Sequence, residues 1–179
     1  MVPTDVASFG RELARRLDEA LDGGLVGAYF VGSVALGGYV GDESDVDIVG
    51  VSEHQVPAGA KLLVAHAVLD CTTDCPARGL EFTLYRQEVA GAPPRGADFE
   101  VNANWGPRMA RSVHLDPGAE PGFWYIIDRA VAHRAGIAIV GLPGRQVFAD
   151  VPRDALLTAY SRVFVHPVRS FRTPRWEAV

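Results

Sequence analysis

The sequence predicts an α/β (α+β) domain, a mixed β-sheet flanked by helices. Three observations lead there. Stretches with apolar residues at helical spacing alternate along the chain with short runs of period two. The 179 residues are 48% hydrophobic and 22% charged, which is enough for one real core and is not the composition of a disordered chain. No internal repeat and no low-complexity tract interrupts the pattern.

Taken in order, residues 5–22 (DVASFGRELARRLDEALD) carry Val6, Phe9, Leu13, Leu17 and Leu21 on one stripe. Asp5 serves as cap and Gly23-Gly24 as stop, so this is an amphipathic leading helix. Residues 28–31 read as a short buried strand ending at Gly32, and a short helix is expected from Ser33. Residues 45–51 (DVDIVGV) alternate, with Asp45, Asp47 and Val49 on one face and Val46 and Ile48 on the other. Residues 61–69 suit a helix. Residues 80–86 (LEFTLYR) alternate as a third strand, with Glu81, Thr83 and Tyr85 on one side and Leu80, Phe82 and Leu84 on the other. GAPPRG (91–96) is a loop by its Pro and Gly, and 99–101 a further short strand. Residues 123–134 read as a helix packed through Trp124, Ile127 and Val131 and ended by Gly136. Residues 137–140 form a short buried strand, and 153–165 a last helix that Pro167 blocks from continuing. The tail SFRTPRWEAV (170–179) has neither period.

The charge balance narrows function. A net charge of −5 argues against general nucleic-acid binding, which needs a basic surface. No run reaches the length of a membrane span, and MVPTDVASFGRELARR lacks the layout of a signal peptide, so the expected location is cytoplasmic, away from membranes. Cys71 and Cys75 stand as one CTTDC pair without a second pair, and are read as reduced thiols rather than a zinc site. The five histidines have no ligand spacing. Arg108 and Arg111 are read as surface charges that could meet phosphates.

The chemistry is carried by VGSVALGGYVGDESDVDIVGV (31–51). Two carboxylates on an otherwise apolar strand cost stability unless a cation needs them. Side chains two apart on a strand leave the same face about 7 Å apart, so Asp45 and Asp47 can converge on a hard cation such as Mg²⁺, which takes carboxylate oxygens together with substrate phosphates. Gly32 allows close backbone approach, and Ser33 offers N–H and hydroxyl donors to phosphate oxygens at a helix start. Glu81, on a later strand, is the natural third carboxylate; Glu43 is an outside candidate for a further contact.

This combination, GS-x11-DxD with a later strand carboxylate, resembles the nucleotidyltransferase superfamily, whose members move a nucleoside monophosphate from a triphosphate onto a hydroxyl or amine. RGLEFTLYRQEVA (78–90), NANWGPRM (102–109) and DRAVAHRAGIAIVGLPGRQVFADVPRDALLTA (128–159) resemble the streptomycin/spectinomycin adenylyltransferases. The resemblance spans residues 27–160. It implies a nucleotidyltransferase catalytic domain over 1–150, with 151–179 as the remnant of a helical C-terminal region. It implies Asp45 and Asp47 as metal ligands, Glu81 as catalytic base, Gly32-Ser33 as the phosphate holder and Trp105 as a wall of the acceptor cleft.

The implied activity is Mg²⁺-dependent transfer of AMP from ATP to a hydroxyl of a small molecule, an aminoglycoside-type antibiotic being the family's acceptor and resistance its consequence. Family members continue into a helical bundle that supplies a lysine for the nucleotide, whereas Lys61 is the last lysine here. Two rival readings follow: a nucleotide-binding or partner-binding module with little turnover, and a transferase with a protein acceptor. A homodimer or a helical partner protein would then complete the cleft.

Overall fold

The computed structural model describes residues 1–119 and 121–165; the tail from 170 onward lies outside the described residues. The chain opens with helix α1 (Thr4–Ala20), strand β1 (Leu25–Phe30), the one-turn α2 (Gly32–Leu36), β2 (Val46–Ser52), α3 (Ala58–Cys71) and β3 (Leu80–Arg86). It continues with α4 (Gln87–Ala90), β4 (Val101–Gly106), β5 (Met109–His114), α5 (Phe123–Ala135), β6 (Ile137–Val140), α6 (Gly144–Val147) and α7 (Arg153–Val165).

The strands form one mixed sheet in the order β5-β4-β3-β2-β1-β6. Among the described residues only β2 and β3 run parallel, and α3 makes the crossover such a pair requires. The alternation of β2 and β3 decides what each sheet face carries. Val46, Ile48, Leu80, Phe82 and Leu84 point to one side, where Val6, Phe9, Leu13 and Leu17 of α1 and Val64 and Val68 of α3 cover them. Val49, Val51 and Tyr85 point to the other, against Tyr125 and Ala132 of α5, Ala90 of α4 and Val147 of α6. The fold class predicted above is the one observed.

Four expectations are corrected. The strand expected at 99–101 is instead the first arm of a hairpin, β4 and β5, which turns at Pro107-Arg108. Its polar residues fit a strand because they bond each other: Asn102 Nδ2 donates to Thr83 Oγ1 at 3.0 Å, and Asn104 Nδ2 donates to Asn102 Oδ1 at 3.2 Å. The second strand begins at Val46, so Asp45 sits in the approach to it. The last strand is only half covered, with Val140 39% exposed, because it is the sheet edge beyond β1.

The buried side of α5 is Phe123, Tyr125, Arg129, Ala130 and Ala132, while Trp124 is 48% exposed. The buried residue outside the expected stripe of Trp124, Ile127 and Val131 that matters most is Arg129. Its side chain is 1% exposed, and its guanidinium donates to the carbonyls of Val89, Ala90 and Ala92 where α4 ends, with its carbon 5.5 Å from the ring centre of Tyr85. Orphan carbonyls at a helix end need donors, and a buried cation needs acceptors. Each requirement answers the other, and α5 is tied to the segment after β3.

Candidate active site

Gly32, Ser33, Asp45, Asp47 and Glu81 lie where β1 ends and β2 and β3 begin. Val31 N–H donates to the Asp47 carbonyl at 2.9 Å, holding the end of β1 against β2. Gly32 follows at φ +50°, and a Cβ there would lie 1.9 Å from Asp47 Oδ2, so no side chain fits. The Ser33 N–H donates to the Asp47 carboxylate, and the Ser33 hydroxyl donates to the Asp45 carbonyl at 3.5 Å. The Gly-Ser turn is therefore latched onto the aspartate segment, and the glycine is required by Asp47 itself.

Asp47 stands directly beside Glu81 in the parallel register of β2 and β3, strands about 4.8 Å apart. Asp47 is half-buried. Glu81 keeps open surface toward solvent while protein walls in the rest of its carboxyl. Asp45 is held differently: Arg78 forks onto it, Nε donating to Oδ1 at 2.8 Å and Nη2 to Oδ2 at 2.5 Å.

Two residues that the sequence reading passed over complete the group. Arg78 is one, three positions before Glu81. The other is Asp128 on α5, near enough to Asp47 and Glu81 for their charges to act on it. Neither lay in a recognisable local spacing. Arg78 comes to Asp45 across 33 residues of chain, and Asp128 belongs to a helix whose inward face was misread.

Burial and mutual repulsion govern the charges. Asp47 is pushed up to about 7 by burial and then by Glu81 and Asp45, with the Ser33 N–H pulling the other way. Asp128 is pushed up to about 8, by burial first and then by Asp47 and Glu81. Glu81 is raised by burial and by Asp45, partly offset by Arg78. Among the described residues Arg78 is the one cation ion-paired to this group.

Among the described residues no three His, Cys, Asp or Glu side chains are gathered into a ready cage for an ion. What is present is a set of hard oxygen donors near enough to raise one another's proton affinity, with Arg78 paired to one of them. Mg²⁺ is commonly held by one or two carboxylates plus substrate phosphates, so Asp45 and Asp47 fit such an ion by donor chemistry.

The structure does not bring Trp105 to these residues. Its pairing with Leu80 sets it on the α1 and α3 side of the sheet, where the Arg111 guanidinium lies 5.5 Å from its ring centre. The β4 residue paired with Glu81 is Asn104. Arg108 donates to the Asp42 carbonyl at the edge of the site. Cys71 and Cys75 are free and buried; burial pushes the Cys71 thiol up to about 11, and burial with the nearby Asp45 charge raises that of Cys75.

The raised carboxyls set a pH dependence. In the unfolded chain these groups lose their protons near pH 4, whereas folded Asp47 and Asp128 keep them to about 7 and about 8. Between those limits the unfolded chain binds fewer protons, so stability falls as pH rises through that window and levels off above it. Glu12, drawn down to about 2 by hydrogen bonds from Arg15 and Arg16, acts only below that window. Calorimetric melting in chelator is expected to show a higher Tm at pH 5 than at pH 8.5, and an unchanged or rising Tm would contradict the assigned charge state.

No family model matches the chain, and no curated protein matches it by sequence. Among solved structures, it is similar to a spectinomycin adenyltransferase from Enterococcus faecialis, crystallised with ATP and spectinomycin, at 16% identity and a TM-score of 0.62 over 85% of this chain. The chain covers 63% of the length of that one. At such identity the likeness shows the fold, which is nucleotidyltransferase-like. No helix among the described residues is long and apolar enough to cross a membrane.

Proposed function

We propose that this chain, on its nucleotidyltransferase-like fold, transfers AMP from ATP to a hydroxyl of a small molecule, with Mg²⁺ as cofactor and an aminoglycoside-type antibiotic as the acceptor class. One observation carries the reading. Asp47 and Glu81 stand side by side on parallel strands, with Asp45 two residues before Asp47 and the Gly32-Ser33 turn packed against them. Support comes from the neighbour's ATP and spectinomycin.

In the reaction an acceptor hydroxyl oxygen forms a bond to the α-phosphorus of ATP. The bond from that phosphorus to its β-bridging oxygen breaks, and pyrophosphate leaves. Glu81 takes the hydroxyl proton; its raised proton affinity and its exposure to solvent suit that task. Ser33 offers its hydroxyl and backbone N–H to phosphate oxygens, and Gly32 leaves room for their approach. Asp45 and Asp47 would hold the divalent cation, which when bound neutralises charge on the phosphate oxygens.

A second reading keeps the fold and makes the chain a nucleotide-binding or partner-binding module. It is favoured by apolar side chains left uncovered on the paired helices α5 and α7: Trp124, Leu157 and Tyr160 are 48%, 59% and 42% exposed. The experiment is incubation with ATP and Mg²⁺ and a panel of hydroxylated acceptors, including spectinomycin and streptomycin. Mass spectrometry is expected to show one AMP added to an acceptor together with pyrophosphate release. ATP bound with no acceptor modified supports the module instead.

A further inference from the structure

Resting on the nucleotidyl-transfer reading, we infer that Arg78 is a ligand for the nucleotide's phosphates, stored on Asp45 until the nucleotide arrives. A nucleoside triphosphate adds several negative charges to a site already holding Asp45, Asp47, Glu81 and Asp128. Among the described residues the one guanidinium paired with that set is spent on Asp45, the carboxylate assigned above to the divalent cation. Arg78 therefore stands where a cation would stand on Asp45. A planar guanidinium fork suits carboxylate and phosphate oxygens alike, so exchanging one for the other loses no hydrogen-bonding geometry.

The backbone is built to hold the root of this side chain and leave its end free. The Arg78 N–H donates to the Ser44 carbonyl at 3.1 Å, and its carbonyl accepts the Arg108 N–H at 3.0 Å. The neighbouring Gly79 carbonyl accepts the Val46 N–H at 2.9 Å. The β4–β5 hairpin presses so close that a Cβ on Gly106 would lie 2.2 Å from Gly79 Cα and 2.8 Å from the Arg78 carbonyl. The Arg78 side chain itself is 47% exposed, against 14% for Asp45. A fixed Cα with an exposed long side chain lets the guanidinium leave Asp45 without moving the strands. In the free protein Asp45 is thereby closed to a bare cation. When nucleotide and cation enter together, Asp45 is released and the guanidinium moves onto phosphate oxygens.

The test uses the full chain and two binding probes. Mn²⁺ alone is titrated and followed by electron paramagnetic resonance, and Mg-ATP is titrated by calorimetry. In R78Q, Mn²⁺ alone is expected to bind roughly tenfold tighter and Mg-ATP roughly tenfold weaker, the scale of one charged hydrogen-bonding group. A merely structural arginine would move both affinities the same way. R78K keeps the charge but loses the fork, and should shift both in the same opposed directions by less; it decides the matter if far-UV dichroism shows R78Q unfolded. Mn²⁺ bound no tighter by the variants, or Mg-ATP bound as tightly as by wild type, overturns the inference. A wild-type chain that binds no Mg-ATP overturns the nucleotidyl-transfer reading itself, and with it the phosphate role, before any variant is compared.

Discussion

Asp47→Asn is expected to lower Mg-ATP affinity by at least about 100-fold, the loss of a charged ligand in a desolvated site, while raising the Tm of the free protein. The two effects have one origin. Asp47 is half-buried between Glu81 and Asp45, and its carboxyl is pushed up to about 7. An uncharged amide of the same shape relieves that repulsion at neutral pH. Its oxygen can still accept the Ser33 N–H. The relief is worth about 1 kcal/mol once the partial exposure of Asp47 is allowed for, or about 2–4 °C for a chain of this size. Calorimetric melting in chelator at pH 8 reads the gain, and isothermal titration with Mg-ATP reads the loss. Asp45→Asn should share the loss but not the gain, because it removes the acceptor of the Arg78 fork. An Asp47→Asn protein that binds Mg-ATP normally, or melts earlier, would sink the assignment.

Glu81→Gln is expected to separate binding from chemistry. The general-base role predicts a fall in transfer rate of roughly 10²–10⁴-fold. Mg-ATP affinity should stay within a few fold, because the proposed phosphate and cation contacts are made by Ser33, Asp45 and Asp47. The amide keeps the size of the side chain, and Glu81 makes no hydrogen bond among the described residues that its loss would break. Single-turnover AMP transfer, measured alongside calorimetric ATP binding, reads the two separately. Transfer at the wild-type rate by Glu81→Gln would remove Glu81 as the base.

What could be read from the sequence was what local periodicity controls. Strand alternation set Asp47 apart from Val46 and Ile48, and Glu81 apart from Leu80 and Phe82. Those assignments hold in the register that places Asp47 opposite Glu81. The Gly-Ser turn was legible as a close approach, although the atom approached is an Asp47 oxygen of the protein itself. What escaped depends on partners far away in the chain. The β4–β5 hairpin was missed because Asn102 and Asn104 look like loop residues until Thr83 and each other are seen as their partners. Arg129 drew no expectation, because the carbonyls at the end of α4 that bury it lie about 40 residues earlier in the chain. Arg78 and Asp128 were missed for the same reason, since no spacing in the chain announces a contact made across the sheet. Trp105, placed in a cleft by resemblance, lies by register beside Leu80.

The sheet also implies an order of assembly. Strands β1 to β5 are contributed by residues 25–114, so the pairing of Asp47 with Glu81 needs nothing beyond that point. The sixth strand must return to β1 from much further along, and the hydrogen bond from the Tyr29 hydroxyl to the Leu142 carbonyl spans 113 residues. Closing so long a loop is entropically slow compared with the local pairings. During synthesis from the N-terminus, the β2–β3 half of the site can therefore be in place while α5, with Asp128 and Arg129, has yet to dock. For that interval the Tyr29, Val49 and Tyr85 face of the sheet stands uncovered and the free edge of β1 is open to other strands. A nascent chain that has emerged only as far as residue 114 therefore exposes that apolar face and that strand edge together, the combination that favours aggregation.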